Sequence, residues 1–129
     1  MNFRLVTAIE GNNIMKSEEL MIGDWVKIPN TKVEHEFWRI GLDLMQGIED
    51  GIIEPEPIPL TPEILEKNGF VKHDTWNEWV HYANGIFIDF TLLVDEDGFH
   101  LDIPNARIKY VHELQHALKL CGIEKEIDL

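Results

Sequence analysis

The residues best equipped for chemistry in this chain sit close together. Positions 110–122 read YVHELQHALKLCG, and His112, Glu113 and His116 within them spell H-E-x-x-H. Two imidazoles one helical turn apart can hold a zinc ion, and the glutamate between them can take a proton from a metal-bound water. That set would make a small zinc-dependent hydrolase, with His112 and His116 as metal ligands and Glu113 as the catalytic base. Two features weigh against it. On a helical wheel at about 100° per residue, Tyr110, Val111, Leu114, Ala117, Leu118 and Cys121 form one apolar stripe. Both histidines fall opposite that stripe, beside Lys109 and Lys119, which puts the motif on a solvated face. A third ligand is also missing. Only 13 residues follow His116, and they carry neither a glycine–histidine extension nor a helix bearing a second glutamate. His100 and Asp102 are the upstream donors that remain. The reading therefore expects no catalytic residue, no metal ligand and no cofactor, with the hydrolase as the alternative.

Other groups have plainer explanations. The acidic run at 95–98, Asp-Glu-Asp-Gly, is too short for a calcium loop, whose ligands spread over about twelve residues; it reads as a hairpin turn. Asp89 lies mid-strand, where an outward-facing carboxylate is the common case. Trp76 and Trp79 read as opposite faces of one strand, and with Trp25 and Trp38 they suit core and rim packing. His73, His81 and His100 are scattered. Cys121, on the apolar stripe, reads as a small core residue. There is no phosphate-binding glycine loop.

The elements that must position these residues follow from pattern and turn chemistry. With 129 residues, 44% hydrophobic and 27% charged, the chain can bury a core and reads as a single domain, 1–129. Residues 1–16 read as an N-terminal extension, with Met15 as an alternative start. From 17 to 54 the pattern is β. "DWVKI" is one strand, "HEFWRIGLDL" carries Trp38, Ile40 and Leu42 at period two, and "GIEDGIIE", the third, contains the hairpin signal Asp50-Gly51. These three short strands suggest a small SH3-like β unit. "EPEPIPL" is an extended bridge. From 55 to 129 the order reads α-β-β-β-α. Thr61 is an N-cap, Pro62 the first helical position, Leu60 and Leu65 a hydrophobic staple, and Gly69 a terminator. Two strands, "TWNEWVHYA" and "IFIDFTLLV", flank an Asn84-Gly85 turn, and "FHLDI" is the third. A helix over about 105–121 ends at Gly122, with Ile123 folding back on Leu118. The class is α+β, with a C-terminal helix packed on an antiparallel meander.

Charge and cysteine content exclude several roles. A formal net charge of −13 argues against direct nucleic-acid binding and against anionic membranes, since both repel a polyanion. The α-β-β-β-α order is also that of a double-stranded-RNA-binding domain, which the charge disfavours. One cysteine excludes an intrachain disulfide and fits a reducing, cytoplasmic setting. No apolar run approaches the length of a membrane span.

Three segments, "IGDWV", "PIPLTPEILEKNGF" and "RIKYVHELQHALKLCGI", resemble a family of short, uncharacterised proteins encoded by gut Bacteroidales and their mobile elements or phages. The resemblance covers most of the chain from Met15 onward. It implies an origin in such elements, and it implies that glutamine is often found where this chain has Glu113, which would remove the base. It brings no activity or cofactor with it. The function expected is a non-enzymatic protein-interaction module with an unidentified protein partner. The alternatives are the zinc-dependent hydrolase and an acidic nucleic-acid mimic.

Overall fold

Over residues 15–29, 37–102 and 106–129, which the computed structural model describes, seven strands form two antiparallel sheets accompanied by three α-helices. The α+β class and the C-terminal helix are as expected. The expectations for 1–14, for the entry of the second strand and for Asn105 lie outside the described residues. Contacts divide the chain into two units, Met1–Ile58 and Pro59–Leu129.

In the first unit a 3-10 turn at Ser17–Glu19 precedes β1 (Trp25–Lys27), which pairs antiparallel with β2 (Phe37–Arg39) through Val26 and Trp38. The end of the second strand expected here and the start of the third, "GIEDGIIE", lie in a helix, α1 (Leu42–Glu49). The period-two reading counted Leu42 as a core position, but Leu42 is exposed, and Ile48, with partly buried Leu44 and Met45, packs at helical spacing on Met15, Leu20, Val26 and Ile40. Asp50-Gly51 is accordingly the end of that helix and no hairpin. Gly51 takes φ +75°, which suits a helix terminus as well as a tight turn. Two strands and a helix among the described residues give the SH3-like expectation no support. Mid-helix Gly47 has a packing reason: a Cβ there would lie 2.6 Å from Ile53 Cδ1.

The second unit begins with α2 (Pro62–Lys67), built as its sequence dictates. Thr61 Oγ1 accepts from the Ile64 N–H at 3.2 Å, and Leu60 and Leu65 are both buried. At the other end Gly69 has φ +84° and the Phe70 N–H donates to the Leu65 carbonyl at 3.0 Å, a Schellman closure. Five strands follow, two more than expected, in the order β3-β4-β5-β6-β7. They are β3 (Val71–His73), β4 (Glu78–Ala83), β5 (Phe87–Asp95), β6 (Gly98–Leu101) and β7 (Ala106–Ile108). Trp76 lies in the turn between β3 and β4 and is exposed, while Trp79 is buried within β4, so the two do not share a strand. Asn84 and Gly85 both have positive φ, and the Ile86 N–H donates across them to the Ala83 carbonyl at 3.0 Å.

The last helix, α3 (Val111–Leu120), starts later than expected because Ala106–Ile108 is a strand paired with β6. It closes as the sequence predicts: Gly122 has φ +74°, and the Ile123 N–H reaches the Leu118 carbonyl at 2.9 Å. The charged tail beyond is anchored through buried Asn68. Its amide donates to the Asp128 carbonyl at 2.8 Å and accepts from the Asp128 N–H at 2.7 Å, while Ile127 is buried.

Candidate functional site

Glu113 stands at the third position of α3, and its carboxylate turns back on the start of its own helix. One oxygen accepts from the backbone N–H of Lys109 at 2.7 Å and of Tyr110 at 3.0 Å. Tyr110 is the N-cap residue and its side chain makes no cap hydrogen bond, so the glutamate does the capping instead. The negative charge also complements the positive end of the helix dipole.

The two histidines do not lie together on a solvated face. His112 is 7% exposed and its ring stacks on that of Tyr110, with centroids 6.0 Å apart. His116, half-buried, meets His112 edge-on at 5.6 Å. The wheel argument failed because burial along α3 changes with position more than with angle. Val111, His112, Leu114, Gln115, Ala117 and Leu118 are buried around most of the circumference, whereas Lys119, Leu120 and Cys121 in the last turn are exposed. Cys121 is therefore not a core residue.

Of the upstream donors, His100 shares a cross-strand row with Leu93 and Arg107, on the face of the sheet away from Ile108. Asp102 does border the same cleft as Glu113 and His116. Even so, no three His, Cys, Asp or Glu side chains are grouped to hold a metal among the described residues. The residues present do not fit a zinc centre: the base is engaged as a cap, and His112 is not on the cleft's lining.

The cleft lies between α3 and the sheet, encloses about 460 Å³, and is walled by Phe90, Ile108, Ala117 and Leu120 among others. Asp89 reaches it because of a bulge. The register of β4 with β5 shifts between His81 and Tyr82, so that both Asp89 and Phe90 stand opposite His81. Asp89 Oδ1 lies 2.8 Å from His81 Nδ1, and both side chains are mostly buried. The outward-facing position expected for Asp89 is thus replaced by a paired, mostly buried one; nothing in strand alternation reveals a bulge.

The acidic turn at 95–98 is closed by an arginine. Arg107 meets Asp95 with two hydrogen bonds, at 2.7 and 2.8 Å, and His100 Nδ1 lies 3.4 Å from the same carboxylate. The Arg107 guanidinium holds the Asp95 carboxyl well below the usual range, at about 2.

One surface was missed altogether by sequence reasoning. Among the strands described, β3 pairs only with residues 78–80 of β4, and β6 only with residues 93–95 of β5. Residues 81–83 and 87–90 are strand-paired only with each other. The β4–β5 hairpin runs on past its neighbours as an arm, and at its tip Ile86, Phe87 and Ile88 are 76%, 61% and 46% exposed. Consecutive strand residues point to opposite faces, so neither face of the tip is covered. The signal was present in the sequence: an apolar run that begins directly after the Asn84-Gly85 turn leaves no room for the polar positions that a solvated hairpin end carries.

No helix among the described residues is long and apolar enough to cross a membrane. No protein-family model, curated protein or solved structure matches the chain.

Proposed function

We propose that the chain is a non-enzymatic protein-interaction module whose contact element is the β4–β5 arm. The observation that carries this reading is the exposed run Ile86, Phe87 and Ile88 at the tip. Three adjacent large apolar side chains in water are costly to solubility, and soluble proteins keep such runs for contact surfaces. Among the described strands, the edges beside them have no further strand neighbour, which leaves the capacity to accept one. The net charge of −13 favours a neutral or basic protein surface over nucleic acid. The single cysteine suits a reducing, cytoplasmic setting, and the segment resemblance to Bacteroidales proteins suits an origin in a phage or mobile element. The hydrolase reading would need Glu113 to release the two N–H groups it accepts from.

The test uses the double variant Ile86→Ser, Phe87→Asp. Both positions are exposed, so the variant should still fold, which a thermal melt beside the parent checks. Bait protein from cells that naturally encode the chain should lose its captured partner in the variant. Retention of the same partner by the variant would overturn the reading.

A further inference from the structure

The cleft between α3 and the sheet has a chemistry that the arm leaves unused. We propose that it binds a small apolar ligand carrying one positive charge: an amine with an aliphatic or aromatic body. Its volume of about 460 Å³ falls in the range of small-molecule sites, roughly 300–1,000 Å³. Phe90, Ile108 and Ala117 supply apolar walls. The charged lining is of one sign: three carboxylates, Asp89, Asp102 and Glu113, and neither lysine nor arginine, with Thr91 and His116 as further polar groups. Two of these carboxylates are fixed in place, Asp89 by His81 at 2.8 Å and Glu113 by backbone N–H groups at 2.7 and 3.0 Å. Carboxylates held beside apolar walls attract a cation more strongly than the same charges in open water, and they repel an anion of equal size. Leu120, at the border of the cleft, is 89% exposed and leaves its mouth open to solvent. The proposal does not depend on the role of the arm.

Three probes with one body and three heads decide it: 4-phenylbutylamine, 4-phenylbutanol and 4-phenylbutyrate, each titrated into the full chain labelled with nitrogen-15. The amine should shift the amide signals of Phe90, Ile108 and Ala117 and bind on the order of tenfold more tightly than the alcohol, a difference that shrinks with added salt. The butyrate should leave those signals in place. Asp102→Asn, at an exposed position, should cut the preference for amine over alcohol severalfold without weakening the alcohol. Butyrate binding as tightly as the amine, equal affinity for amine and alcohol, shifts away from the cleft, or no shifts with any probe would each overturn the proposal.

Discussion

Replacing Glu113 with alanine and with glutamine separates a structural role from a catalytic one. Alanine removes the acceptor of two backbone N–H groups, 2.7 and 3.0 Å from the carboxylate oxygen, at a helix whose N-cap side chain makes no cap hydrogen bond. Lost caps cost about 0.5–2 kcal/mol, and loss of a negative charge beside a helix N-terminus costs roughly 0.3–1 kcal/mol. Glu113→Ala should therefore destabilise the chain by about 1–2 kcal/mol. Glu113→Gln keeps an acceptor oxygen and loses only the charge, so its cost should be roughly 0.3–1 kcal/mol. Urea melts of the three proteins at neutral pH read both numbers. A Glu113→Ala protein as stable as the parent would refute the capping argument. A Glu113→Gln protein as unstable as the alanine variant would show that charge alone, and not the acceptor geometry, is at work.

The better-formed elements give further expectations. Thr61→Ala removes the oxygen that accepts from Ile64 and should cost about 1 kcal/mol, whereas Leu65→Ala, at a fully buried position, should cost about 2–5 kcal/mol; denaturant melts check both. Asn68→Ala breaks the clasp on Asp128 and should cost about 1–3 kcal/mol, with faster hydrogen exchange at the Asp128 amide in NMR. Asp95 titrates at about 2 in the folded chain against 3.8 unperturbed. Its pairing therefore contributes stability above pH 3.8 that is lost as the pH falls toward 2. Melting temperature against pH should accordingly fall less steeply across that window in Asp95→Asn than in the parent.

What could be read from the sequence was local chemistry. Thr61, Pro62 and Gly69 mark α2 because caps are made by neighbours, and Asn84-Gly85 and Gly122-Ile123 mark their turns for the same reason. What escaped needed a partner distant in sequence. Strands β3 and β7 are three residues each, too short to show alternation, and they exist because β4 and β6 offer them an edge. The start of α3 was hidden because Tyr110 is a poor cap and the capping oxygen comes from Glu113, the residue that the motif assigned to catalysis. Leu42 at period two and Asp50-Gly51 made α1 look like strand and hairpin, although Leu42 is exposed and Gly51 ends the helix. In the site itself, the burial of His112 and the exposure of Cys121 reverse a wheel that assumed one wet face along the whole helix. The bulge that turns Asp89 toward His81 leaves no trace in hydrophobic periodicity.

The most direct test of the arm as the contact element is photo-crosslinking from its tip. A photoreactive phenylalanine analogue replaces Phe87 in one protein and the exposed Glu63 of α2 in another, and both are irradiated in cells that naturally encode the chain. The account predicts a discrete covalent adduct to a protein partner from position 87 and none from position 63. Equal labelling from both positions, or no adduct from position 87, would contradict it.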